Sequence, residues 1–301
     1  MNQIPSAPRR ARSPLPMCAP LALALLAACG GGGGGPDPVP TVASVSASTV
    51  KYSQLLVVTV TGTDVDQGLT VSSPACIGMA LSKTAPFVSG TATAFYRCRA
   101  SALGASVVTV ARATDSVTLG SANFNVAAPQ VTMTLNSGAA LLGSIVFTLA
   151  PDRTPITVDN FLNYVNTGFY DGTVFHRIAS GALRLVQGGG YPPVSPTTGA
   201  VPKPTNPPIA LEVGKGLGNL QWSVAMARGA EPGSATSQFF INLQNNPSLD
   251  TAGGGYAVFG AVTAGTDVVT AISAAPCGPV AGFLDCVPNP NILITTATQT
   301  Q

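Results

Sequence analysis

This 301-residue sequence predicts a mainly β fold, on three observations. Hydrophobic residues make up 46% of the chain and charged residues only 9%, where a soluble domain typically carries about 25% charged. Such a chain can bury a core and is not held open by its own charge. From Val42 onward, short runs of Val, Thr, Ser and Ala alternate with polar neighbours and stop at Gly, Ser or Asp, the period of half-buried strands. Helical spacing is confined to two stretches of the second half.

The N-terminus reads as an export signal. Arg9, Arg10 and Arg12 precede Leu15 to Ala28, an uncharged stretch dominated by Leu and Ala, giving a charged region followed by an apolar one. That stretch is too short, and too broken by proline, for a membrane span of about 20 residues. It ends in Leu26-Ala27-Ala28-Cys29, which resembles the bacterial lipobox, and the resemblance implies removal of residues 1–28 and lipidation of Cys29. Gly30 to Gly35 then make a flexible tether within 29–41. Gly30, where an aspartate would retain a lipoprotein at the inner membrane, implies an outer-membrane protein facing the periplasm or the cell surface. Without residues 1–28 the chain holds 11 basic and 12 acidic residues, and no basic run follows residue 12, which excludes a nucleic-acid footprint.

Beyond Cys18 and Cys29, four cysteines remain, and export would allow them to oxidise. Cys76 with Cys98 and Cys277 with Cys286 are the expected bridges because each pair lies within one expected domain, although sequence alone permits three connectivities or free thiols. No CxxC occurs and the one histidine is far from all four in sequence, so no metal is expected.

Residues 42–127 carry strand-like runs at Leu55–Val60, Val107–Val110 and Val117–Leu119, and read as an all-β module of the immunoglobulin-like kind. Tyr96-Arg97-Cys98 is only superficially similar to that fold's tyrosine corner, since the interval Cys76 to Cys98 is too short for its inter-sheet bridge and holds no Trp. No catalytic constellation is visible here, so the module reads as a spacer or a protein-binding unit.

Ala127-Ala128-Pro129 marks a boundary to a second domain, 128–301, which opens with strands at Val131–Leu135 and Gly143–Leu149. A helix follows: Thr154 can cap it, Pro155 suits its first position, Val158, Phe161, Leu162 and Val165 form one apolar stripe, and Thr167-Gly168 ends it. Strand patterns return at Val174–Ile178, Ser223–Ala227, Phe239–Leu243 and Ala257–Val262, with a short helix over Asp267–Ile272. Seven prolines from Pro192 to Pro208 make an exposed loop.

Ordered blocks in this domain carry a family resemblance. Asn160-Phe161-Leu162, Gly168-Phe169-Tyr170-Asp171-Gly172-Thr173-Val174-Phe175-His176-Arg177, Gln187-Gly188-Gly189-Gly190, Val224 to Arg228, Ser237 to Ile241, Leu249-Asp250 and Tyr256 to Gly260 are similar to the successive blocks of cyclophilin-type peptidyl-prolyl cis-trans isomerases. The resemblance spans about Val131 to Thr296. It implies an eight-stranded antiparallel barrel closed by two helices, with a groove on its outside that binds proline-containing, unfolded or flexible polypeptides and needs no cofactor.

By that resemblance Arg177 is the cation aimed at the twisting amide, and Gln187 and Gln238 are catalytic-groove glutamines holding substrate and arginine. Phe240 and Leu249 would wall the proline pocket, with Leu185 as an aliphatic neighbour. Met226, Ala227 and Arg228 would form the strand that pairs with substrate, and Tyr256 stands where many members have histidine. His176 reads as structural, because bond rotation moves no proton.

Two departures stand out. The interval from Arg177 to Gln187 is two residues longer than usual, and the phenylalanine that normally floors the proline pocket is missing, so that Ala182 or Arg184 falls there. Ser248 occupies the position where the family often carries an inhibitor-binding tryptophan. The missing phenylalanine also fits a lipoprotein of this fold that grips proline peptides without turnover. A surface lipoprotein in which the β module does the work is the third reading. A serine hydrolase is not supported, as no G-x-S-x-G elbow is present.

Overall fold

Alternation in the first half builds two facing antiparallel sheets. The computed structural model describes residues 39–301; the export signal, Cys29 and the glycine run lie outside the described residues. Strands β1 (Thr41–Ala47), β2 (Leu55–Thr63), β3 (Leu69–Ser72), β4 (Cys76–Leu81), a hairpin of β5 (Lys83–Thr84) and β6 (Phe87–Val88), β7 (Thr93–Ala100), β8 (Gly104–Arg112) and β9 (Thr118–Val126) follow in order. The sheets run β1-β2-β7-β4 and β3-β8-β9, which, with the small hairpin set aside, is the strand order of an immunoglobulin constant-type sandwich. Leu56, Val58 and Val60 of one sheet and Val108, Val110 and Phe124 of the other are buried in one core. Cys76 bonds to Cys98, with Cα atoms 5.6 Å apart. The bridge joins neighbouring strands β4 and β7 of one sheet rather than the two sheets.

The second half closes on itself. Its strands are β10 (Gln130–Ser137), β11 (Ala140–Leu149), β12 (Val174–Ser180), β13 (Arg184–Gly188), β14 (Ser223–Met226), β15 (Phe239–Asn242), β16 (Val258–Ala264), a small outer hairpin of β17 (Cys277–Gly278) and β18 (Val287–Pro288), and β19 (Ile292–Gln299). The barrel order is β10-β11-β16-β14-β15-β13-β12-β19, and pairing of Val131 with Gln299 and Met133 with Ala297 joins its ends. Helices α1 (Pro155–Asn166) and α2 (Thr266–Ser273) pack against it. The stripe Val158, Phe161, Leu162 and Val165 is buried as its spacing predicts, and the Phe161 ring meets Phe239 edge-on at 5.6 Å. Residues 192–208 hold no regular strand or helix beyond isolated bridges.

One local expectation fails. Thr154 occupies the N-cap of α1, but its hydroxyl makes no capping bond and donates instead to the Ala150 carbonyl. The cap comes from a distance: the buried Glu212 carboxylate accepts from the Ile156 N–H at 3.3 Å, the Thr157 N–H at 2.8 Å and the Thr157 hydroxyl at 2.8 Å. A carboxylate there satisfies otherwise orphaned donors and complements the positive end of the helix dipole.

Sandwich and barrel belong to one compact unit, Val39–Gln301. Gln299 of the closing strand donates its amide to the Tyr52 carbonyl at 3.0 Å, and Arg99 pairs with Asp159 of α1 at 2.8 Å.

Because Glu212 holds three donors at the start of α1, Glu212→Ala should lower unfolding free energy by about 2 kcal/mol. Urea denaturation with an unchanged m-value would register it, and Glu212→Gln should lose less.

Candidate active site

Antiparallel register brings the chemistry to one outer face of the barrel. Arg177 of β12 lies opposite Gln187 of β13, Gln187 opposite Phe240 of β15, and Phe240 opposite Ala225 of β14. Successive residues of a strand face opposite sides, so Val186, Val224 and Phe239 fill the barrel core while Leu185, Ala225 and Phe240 belong to a separate apolar cluster. Ala179, Leu249 and Val258 complete that cluster, and Leu183, Leu217, Ala227 and Tyr256 pack on it.

A polar line runs beside the apolar patch. Arg177 Nη1 donates to Gln187 Oε1 at 3.0 Å, and Gln187 Nε2 donates to Gln238 Oε1 at 2.9 Å. A guanidinium presents its donors in a fixed planar fork, and the Arg177 side chain is 22% exposed. The glycines after Gln187 make room for this line. At Gly190 a Cβ would fall 2.5 Å from Cγ of Gln238, and Gly189 has φ of +82° with Phe239 and Tyr170 pressed against it. A cavity of about 280 Å³ opens next to the glutamines, lined by Gln187, Ala227, Arg228, Ser234, Thr236 and Gln238.

The remaining expected residues are placed as follows. Leu249 sits on a 3₁₀ turn, Pro247–Asp250, and its carbonyl accepts from the Tyr256 N–H at 2.9 Å. The Phe240 and Tyr256 rings are 5.8 Å apart. Arg228 lies over the Tyr256 ring at 4.4 Å, and its guanidinium donates to the carbonyls of Gly255 and Gly253 at 3.0 and 2.7 Å. Its side chain therefore staples the turn that carries Leu249 and Tyr256. Met226 is 1% exposed with its side chain in the barrel core, which leaves its backbone as the part that can face a peptide. Neither Ala182 nor Arg184 replaces the missing phenylalanine. Both are exposed, because β12 and β13 stay paired out to Ser180 and Arg184, and Leu183 at the hairpin tip packs on the cluster.

Other contributors escaped the sequence reading. A buried amide network, Asn246 to Asn242 to Asn219, with the Asn219 amide donating to Asp250 at 2.8 Å, supports the turn under Leu249. Asp285 pairs with Arg177. Cys277 and Cys286 are bonded, with Cα atoms 5.4 Å apart, and Cys286 bridges to Ile178, the residue after Arg177.

This groove offers a fixed cation, two ordered amides and an apolar patch, and residues 130–299 match the family described as cyclophilin type peptidyl-prolyl cis-trans isomerase/CLD. The chain belongs to that family. Its similar relatives include peptidyl-prolyl cis-trans isomerase cyp18 of Streptomyces antibioticus, 44% identical, the match covering 55% of this chain and 96% of the relative. Peptidyl-prolyl cis-trans isomerase B of Escherichia coli is 40% identical over 52% of this chain and 93% of its own length. Peptidyl-prolyl cis-trans isomerase A of Dickeya dadantii is 43% identical over 52% of this chain and 78% of its own. Peptidyl-prolyl cis-trans isomerisation is thus the activity of the cyclophilin domain, and proline-containing peptides are what its fold binds.

His176 of this cyclophilin is 4% exposed, with its ring against Tyr191 at 4.7 Å and Phe283 at 6.0 Å. Burial lowers its pKa from 6.5 to about 4. The imidazole is therefore neutral at pH 7. Between those two values the unfolded chain binds more protons than the folded one, so stability should fall as pH drops from about 6.5 to about 4, by on the order of 3 kcal/mol. Urea midpoints across that range should show the fall in the parent and a weaker one in His176→Gln. Turnover between pH 6 and 8 should stay flat in both.

Proposed function

We propose that this protein is a lipid-anchored isomerase that acts on extracytoplasmic polypeptides, with Arg177 as its catalytic cation. The hydrogen-bonded line Arg177–Gln187–Gln238 beside the Phe240–Leu249 patch is the observation that supports the catalytic part of this reading. Rotating an X-Pro bond means breaking amide resonance, and in unassisted peptides it takes tens to hundreds of seconds. No bond to a nucleophile forms and no proton moves. The apolar cluster grips the proline ring, while the glutamines and the peptide groups of Ala227 and Arg228 hold the flanking backbone. As the amide twists, its nitrogen becomes pyramidal and gains a lone pair. Arg177 donates to that nitrogen, so its bond strengthens toward the transition state and lowers the barrier.

Anchoring rests on Cys29, outside the described residues, and on the signal-like stretch before it. Lipid at Cys29 and the glycine tether would hold sandwich and barrel at the outer membrane, toward the periplasm or the cell surface, where unfolded chains pass and disulfides persist.

Isomerisation of an Ala-Pro peptide tests the catalytic part. Arg177→Ala should lower kcat by about 10² to 10³ with the fold intact by circular dichroism, and Phe240→Ala should also raise KM. A folded Arg177→Ala protein that keeps the parent rate would refute the assignment. For the anchor, Cys29→Ser should move the protein from the membrane fraction to the soluble one, and the parent's mature N-terminal peptide should carry the mass of a lipid.

A further inference from the structure

Arg177 is held at two points, and only one belongs to the groove strands. Gln187 Oε1 accepts a hydrogen bond from Nη1, while Asp285 Oδ2 accepts one from Nε at 2.6 Å. A guanidinium presents five N–H donors in one rigid plane. Hydrogen bonds at Nε and at Nη1 fix that plane against rotation, and among the described residues Nη2 has no hydrogen-bond partner.

Asp285 is not a chance neighbour on a loose loop. The disulfide Cys277–Cys286 closes the segment that carries it. Cys286 is bridged to β12, with the Ile178 N–H donating to its carbonyl at 2.8 Å. From the same segment, Phe283 packs on Tyr191 at 4.9 Å and on the buried His176 ring. The ladder of β17 and β18 ties down both ends. Asp285 itself has φ of +54°, a left-handed conformation that costs most residues about 1–2 kcal/mol and that aspartate tolerates better than most. Disulfide, bridge, ring packing and ladder together place one carboxylate against the Nε of Arg177.

We infer that Asp285, presented by this disulfide-closed loop, is a positioning residue for Arg177 in the isomerase reaction. The inference rests on the catalytic reading of Arg177. Orientation matters because a cation that must meet a nitrogen only as it pyramidalises works best when it has no reorganisation left to do. The carboxylate also offsets part of the desolvation of the guanidinium. Asp285 is 43% exposed and solvent screens the pair, so its effect should be far smaller than that of Arg177 itself.

The test is a double-mutant cycle on the full-length protein with an Ala-Pro peptide. Asp285→Ala should lower kcat about fivefold with KM and urea midpoint nearly unchanged. Asp285→Glu should recover most of the loss, and Asp285→Asn, which keeps an acceptor but no charge, should fall between. Added to Arg177→Ala, Asp285→Ala should cost nothing further. In NMR spectra the Arg177 Nε–H signal should exchange slowly in the parent and fast in Asp285→Ala. The double variant Cys277→Ser with Cys286→Ser should shift kcat in the same direction. If Arg177→Ala is damaged but Asp285→Ala turns over like the parent, or loses rate equally with and without Arg177, the positioning role is wrong while Arg177 stands. A parent-like rate in Arg177→Ala would remove both.

Discussion

Pairing of β10 with β19 is the constraint on which the rest depends. A sheet that closes has no free edge and no freedom of register, so each side chain is committed to the inside or the outside. Inside, Phe147, Phe161, Phe175, Phe239 and Phe259 are fully buried. With the interior filled by aromatics, the outward residues of β12, β13, β14 and β15 are left to form a groove. A slip of one residue in β15 would send Phe240 into the core and Phe239 to the groove.

In the proposed mechanism nothing is transferred, and rigidity is what it asks for. The supports around the groove are accordingly polar and numerous: Glu212 under α1, the Asn219–Asn242–Asn246 network under Leu249, the Arg228 fork on the glycine turn, and the glutamine line behind Arg177. Each is a set of hydrogen bonds satisfied within the protein, which is what makes burying polar groups tolerable. His176 beside Arg177 is packed and neutral rather than a second charge at that strand.

Legibility in the sequence followed the range of the interaction. The α1 stripe and the strand runs are set by spacing within a few residues, and they match their elements to within a residue or two at most ends. Both disulfides join cysteines close in sequence. Glu212 and Asp285 were invisible because their partners lie 55 and 108 residues away, and no local pattern marks either pairing. The two-residue insertion left two candidates for the pocket floor because a hairpin can absorb extra residues in its turn or its ladder. Here the ladder runs out to Ser180 and Arg184, both candidates are exposed, and Leu183 at the tip packs on the apolar cluster. A block match names residues and not the face they point to, so that the Met226 side chain lies in the core is read from the structure alone.

Rotation without proton transfer, at a groove held ready in advance, is the central claim. Exchange NMR on an Ala-Pro peptide with the full-length protein, run in H₂O and in D₂O, tests it most directly. The account predicts rapid exchange between cis and trans signals, with nearly the same rate in both solvents. Binding without exchange, or a rate that falls severalfold in D₂O, would contradict it.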